Sequence, residues 1–146
     1  MKAELDDDAE DPEIFIYSKY GTYDINVWEP SAWTKICETY FSTTSLGPNG
    51  GMLISVDDFP PIRMDKYEVR ALYIFSPTIS ISYSTGSSLG AAVVQDDHLL
   101  LMEGSSVFGD LPFDTNNRFE PRIFNGAIHY HQDANCATPK PTFQKN

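Results

Sequence analysis

What most constrains this chain is how often its β-forming runs are broken. Short runs of β-branched and aromatic residues recur at roughly 8 to 14 residue intervals, separated by Gly, Pro, Asn or Asp. The runs are Glu13–Ser18, Trp33–Phe41, Met52–Val56, Lys66–Phe75, Ile79–Tyr83, Ala91–Gln95, His98–Glu103 and Ala127–His131. Ten prolines and nine glycines supply the breaks. The densest is Leu46-Gly47-Pro48-Asn49-Gly50-Gly51, and Pro60-Pro61 bars ladder pairing because proline has no N–H to donate. No stretch reads as an amphipathic helix. His98–Glu103 is the nearest, and six residues are too few for a stable one. The pattern predicts an all-β fold: an antiparallel two-sheet sandwich or jelly roll of about eight short strands.

The pattern divides the chain into an acidic, poorly ordered arm over 1–13, a sandwich domain over 14–131, and a loose polar tail over 132–146. With 146 residues, one domain can bury about two-thirds of its unfolded surface without a metal or disulfide. Residues 22–32 read as an excursion loop whose Tyr23, Ile25 and Val27 can cover a sheet edge, and 104–117 reads as a second long loop. Cys37 and Cys136 fit no zinc or redox spacing, and sequence leaves open whether they pair.

Charge narrows the partners. The formal net charge is −11, which argues against nucleic acid and against an anionic membrane surface. Seven acids in the arm (Glu4, Asp6, Asp7, Asp8, Glu10, Asp11, Glu13) stand against Lys2, a solvated arm or a docking tail for a basic partner. No run approaches the ~20 apolar residues of a spanning helix, so no membrane insertion is expected. The acidic beginning does not have the basic-then-apolar pattern of a signal peptide. The compartment stays open.

The stretch richest in specific chemistry is Arg118 to Tyr130. Its Pro121 sets an extended entry, Asn125-Gly126 suits a tight turn, and Ala127–His131 is expected to close the sheet with Ile128 and Tyr130 on one face. The planar guanidinium of Arg122 suits a loop clamp or a pair with an acid such as Glu103. Alternatively, Arg118 and Arg122 present a carboxylate, sulfate or sugar site. Trp33 opens a strand and belongs in the core, whereas Trp28 lies in a loop and is the better contact surface. The candidate ligand-binding residues are therefore Tyr23, Trp28, Arg118, Arg122 and Asn125.

Metal and catalytic signals are weaker. His129 and His131 would share one face of a strand, but the order of the surrounding ligands is reversed from His-x-His metal sites of this kind. No metal is expected there. The aspartates Asp57-Asp58, Asp96-Asp97, Asp110 and Asp114 fall in turns, where Asp is favoured anyway, and Ca2+ is the one ion they leave open. Ser105-Ser106 has no nucleophile elbow. A glycosidase carboxylate pair would leave no short motif. No enzyme activity and no cofactor is expected.

Several short motifs recur in order: Tyr17-Ser18-Lys19-Tyr20-Gly21-Thr22-Tyr23, Ser31-Ala32-Trp33-Thr34, Leu46-Gly47-Pro48, Arg70-Ala71-Leu72-Tyr73-Ile74, Tyr83-Ser84-Thr85-Gly86, Met102-Glu103-Gly104 and Phe119 to Tyr130. In these the chain resembles a β-sandwich module of large secreted or surface proteins of microalgae and marine microbes. The resemblance covers roughly residues 14–130 and implies an extracellular, non-enzymatic role in adhesion or assembly, with glycan binding. Such modules begin with one more strand, where this chain has the acidic arm. The resemblance thus implies a missing first strand and a sheet edge open to an added strand from another chain. Two functions follow as expectations. One is an interaction or adhesion module that binds glycan or protein through its loops. The other is an accessory subunit that docks on a larger assembly through its edge strand and acidic arm.

Overall fold

A computed structural model of the chain describes residues 13–40, 60–113 and 118–132. Within them the protein is all-β and antiparallel. The strands are β1 (Glu13–Tyr20), β2 (Thr34–Tyr40), β3 (Arg70–Phe75), β4 (Tyr83–Thr85), β5 (Ala92–Gln95), β6 (Leu100–Met102), β7 (Gly104–Val107) and β8 (Arg118–Phe124). They form two three-stranded sheets, β2-β1-β3 and β4-β8-β7, and the two-stranded sheet β5-β6. A single 3-10 turn, Pro30–Ala32, is the only helical element among the described residues, and none there is long and apolar enough to cross a membrane.

The first sheet carries the core because β1 alternates cleanly. Ile14, Ile16 and Ser18 are buried on one face, while Phe15, Tyr17 and Lys19 take the other. The aliphatic face gathers Ile14, Ile16 and Cys37, with Ile36, Ile74 and Ile79 packed against them. The opposite face is aromatic. Tyr73 lies 5.9 Å from Tyr17, 5.9 Å from Trp33 and 4.7 Å from Phe113, ring centre to ring centre, with Phe75 stacked behind at 6.4 Å. Trp33 is in the core as its position predicts. Phe113 arrives from the segment after β7, and its backbone N–H donates to the Tyr73 hydroxyl at 3.5 Å. Burial pushes the Tyr73 hydroxyl pKa up. A left-handed backbone at Phe113 (φ 65°) is costly for an aromatic residue, and the ring cluster is what holds it there.

The expected open edge at the first strand is not found. β1 is the central strand, paired to β2 on one side and to β3 on the other, so it offers no edge to an incoming strand. The pairing with β2 slips by one residue after Ile16, which makes Ile36 the extra residue of a bulge.

Four other expectations are corrected. The strand expected from Lys66 begins only at Arg70. Tyr67 adopts a left-handed φ of 66°, and a turn closes by a bond from Glu68 N–H to Asp65 O. Ile79 and Ile81 are half-buried and Ser80 and Ser82 exposed, as the alternation predicts, but the paired strand is Tyr83–Thr85. The expected loop 104–117 contains β7, because Gly104–Val107 pairs with β8. Finally, the closing strand is Arg118–Phe124 and not Ala127–His131. Alternation in the latter run is matched by no partner strand among the described residues, and Ile128 and Tyr130 stay 40% and 46% exposed. Pro121 is tolerated in the middle strand of its sheet because the β7 register slips between Gly104 and Ser106, opposite it.

The chain changes sheets at Glu103. β6 pairs with β5, then a single residue separates it from β7, which pairs with β8. Such a corner would leave a loop loose unless something ties it. The Glu103 side chain is the tie. Its carboxylate accepts Ser87 N–H at 2.7 Å, Ser88 N–H at 2.8 Å and the Ser87 hydroxyl at 2.9 Å. The residue is only 5% exposed. Burial alone would raise its pKa, but the Ser88 and Ser87 donors outweigh burial and hold the carboxyl below its usual range. A Cβ at Gly86 would overlap this carboxylate, so only glycine lets the loop approach it.

The Met52–Val56 strand, the Leu46–Gly51 turn, Asp57-Asp58, Asp114, and pairing of Cys37 with Cys136 lie outside the described residues, as do the arm before Glu13 and the tail after Gln132. Glu13, counted with the arm, already belongs to β1.

Candidate functional site

Residues 21–33 leave the first sheet and return to it as a ridge. Gly21, at φ 79°, turns the chain out of β1, and its N–H donates to Val69 O at 2.9 Å. Asn26 is left-handed (φ 63°), a conformation Asn tolerates better than most residues. That turn presents Asn26 O to two donors, Trp33 Nε1 at 3.2 Å and Glu29 N–H at 3.1 Å. The buried Trp33 thereby fixes the ridge from below.

The ridge leans on β7 and β8. Tyr23 Cε1 comes near Gly104 of β7, where an added methyl would stand in ordinary contact with it at 3.9 Å. Arg118 of β8 lies over the same ring at 5.9 Å. Burial raises the Tyr23 hydroxyl pKa, with Ser105 acting against it.

Between ridge and β8 lies an open cleft of ≈ 480 Å³, lined by Asp24, Asn26, Val27, Trp28, Glu29 and Arg118. Two of the residues singled out by sequence, Trp28 and Arg118, therefore line one cleft, and Tyr23 lies against Arg118 without lining it. The charge there was not legible in the sequence. Arg118 is already engaged by Glu120, with Nε 2.9 Å from Oε2 and Nη2 donating to Oε1 at 3.1 Å. Asp24 and Glu29 line the same cleft, so it leans acidic despite its arginine.

Arg122 and Asn125 do not line this cleft. Arg122 Nη1 donates to Pro121 O at 2.8 Å, and the guanidinium sits 5.3 Å from the Tyr83 ring and 5.8 Å from Phe119. It does not pair with Glu103, whose oxygens the Ser87-Ser88 loop takes instead. The Ser84 hydroxyl donates to Asn125 Oδ1 at 2.9 Å, so Asn125 ties the end of β8 to β4. A Cβ at Gly126 would overlap the outer atoms of the exposed Phe124 ring as it now lies.

His129 and His131 are exposed and lie outside any strand, so they do not share a sheet face as expected. Among the described residues no three His, Cys, Asp or Glu side chains group as metal ligands. The Asp96 carboxylate accepts the Tyr130 hydroxyl and the N–H groups of His98 and Leu99, the last two at 2.8 Å. The Tyr130 hydroxyl and then these two amides lower its pKa to about 2.

The sequence missed the Glu103 tie and the Phe113 plug. The signal for the first was present: Thr85-Gly86-Ser87-Ser88 offers clustered donors, and Met102-Glu103-Gly104 places an acid between two sharp backbone changes. Nothing in a lone Pro112-Phe113 marks the second.

No family model, no curated protein and no solved structure matches the chain.

Proposed function

We propose that the protein is a binding module and that the cleft between the 23–29 ridge and Arg118 takes an uncharged carbohydrate. The observation that carries this reading is the meeting of Trp28, Arg118, Asp24, Asn26 and Glu29 around one open, solvent-facing depression. Sugar recognition needs an aromatic face for the apolar side of the ring and polar groups, donors and acceptors alike, for its hydroxyls. Trp28 supplies the first; the two carboxylates and the amide supply the second. An anionic ligand fits less well. Glu120 already occupies much of the Arg118 fork, and Asp24 with Glu29 would repel a carboxylate or sulfate.

The resemblance to secreted adhesion modules points the same way. Docking in a larger assembly through an edge of β1 is not supported, because β1 is flanked by β2 and β3. The test is a glycan array, run with and without Ca2+, on wild type and Trp28→Ala. Binding of neutral oligosaccharides that Trp28→Ala loses, at unchanged melting temperature, supports the reading. A signal indifferent to Trp28 contradicts it.

A further inference from the structure

The two arginines of β8 differ in what meets them. Glu120 takes Arg118 at both Nε and Nη2. Arg122 pairs with no Asp or Glu among the described residues. Its Nη1 holds the Pro121 carbonyl at 2.8 Å. Its Nε is shut off from solvent and has no hydrogen-bond partner. A guanidinium carries five donors and a full charge, so one bond leaves it poorly satisfied. Keeping a charged donor from water without a partner destabilises the fold, and an anion settling beside the charge offsets that cost.

The surroundings of Arg122 are aromatic. Tyr83 stands opposite Phe124 across β4 and β8, and Thr85 stands opposite Arg122. Residues two apart on a strand share a face, so these four lie on one side of the sheet. The guanidinium lies 5.3 Å from the Tyr83 ring and 5.8 Å from that of Phe119, and Phe108 meets Phe119 edge to face at 6.0 Å. Each of the four aromatic residues is 41–60% exposed. A cation with no carboxylate partner thus stands in the middle of a row of rings open to solvent. Packing alone would bury such rings, and an exposed apolar patch of this kind marks a binding surface.

We infer that this face of the β4-β8-β7 sheet binds an acidic oligosaccharide, a chain of uronic acid units, with one sugar carboxylate on Arg122 and sugar rings on Tyr83 and Phe119. In a uronic acid the carboxylate is fixed to the ring itself. One rigid unit therefore meets the cation and lays an apolar C–H face on a neighbouring aromatic ring, with little freedom to lose. An Asp or Glu side chain of a peptide brings its carboxylate on a flexible stem and offers nothing to the rings. A second copy of this chain would bring another −11 of charge with it. The site does not depend on the first cleft, which uses other residues and disfavours anions.

Calorimetric titration of the intact chain with oligogalacturonate, its fully methyl-esterified form and oligoglutamate, at low salt and at about 0.5 M salt, tests it. Oligogalacturonate is expected to bind, more weakly in salt, and neither other probe to match it. Thr85→Glu puts a carboxylate directly across from Arg122. It is expected to weaken oligogalacturonate at least about tenfold at a level or raised melting temperature, and Thr85→Gln to leave it unchanged. Phe119→Ala is expected to weaken binding as well, and Trp28→Ala to have no effect on it. The inference is overturned by no oligogalacturonate binding, by either other probe binding equally well, or by Thr85→Glu leaving affinity intact. Self-association in sedimentation that Phe119→Ala abolishes would also overturn it, giving the face to a second copy. Failure of neutral oligosaccharides to bind would count against the first cleft alone.

Discussion

Glu103 and Gly86 act as one unit: the acid turns back to collect three donors, and the glycine makes room for it. Gly86→Ala should therefore cost about 1–3 kcal/mol, the usual range for overpacking against a side chain that cannot move aside. Chemical denaturation measures it, and Gly90→Ala, where no atom stands within 4 Å but φ is positive, gives the strain-only comparison. The lowered pKa of Glu103 has a definite sign. The carboxylate form is favoured by the fold, so its contribution is fully present above the ordinary value of 4.5 and is lost as pH falls through the folded value. A pH series of melting temperatures should show acid-side loss that Glu103→Gln flattens, the variant being less stable throughout the neutral range. Asp96 behaves likewise, with its contribution present above 3.8 and lost as pH falls toward about 2. In Tyr130→Phe, carbon-detected NMR titration should find the Asp96 pKa raised toward 3.8; no movement would remove the Tyr130 hydroxyl as the main cause.

The first sheet has an aliphatic face and an aromatic face, and the second needs a cover that Phe113 supplies. Phe113→Ala should cost about 2–3 kcal/mol, less than a fully buried ring because Phe113 is half-exposed, and should quench the near-ultraviolet circular dichroism of Trp33 and Tyr73. Unchanged stability would mean that the segment after β7 is not part of this core. The strands of this sheet were legible because β1 and β3 are rich in β-formers, and Trp33 is buried as its place at the start of a strand predicts. The second sheet was not. Pro121 reads as an extended entry to the closing strand, whereas Arg118–Phe124 is itself the strand and pairs with β7 across a register slip opposite the proline. Alternation in Ala127–His131 looked stronger, but a strand needs a partner and patterning does not show whether one is present. At the element scale, local signal identified which residues can form strands and left pairing to tertiary structure.

The same limit governed the site. Residue type brought Tyr23, Trp28 and Arg118 forward; folding brought Trp28 and Arg118 to one cleft and left Tyr23 beside Arg118. Residue type also brought Arg122 and Asn125 forward, and they serve the corner at the end of β8 instead. An arginine reads the same in sequence whether it meets a ligand or a neighbouring carbonyl. What sequence could not reveal was charge in three dimensions: Glu120 stands two residues from Arg118 on β8, but Asp24 and Glu29, which share its cleft, come from another segment. As a whole, the molecule presents an acidic cleft beside a ridge held by Trp33. The central claim is that the acidic cleft is where a neutral sugar binds. The most direct test is an amide NMR titration of the intact chain with a neutral oligosaccharide that scores on the array. The account expects shifts concentrated at Asp24 to Glu29 and Arg118, absent in Trp28→Ala. Shifts centred on the β5-β6 hairpin or on Arg122 and Asn125, with residues 24–29 silent, would contradict it.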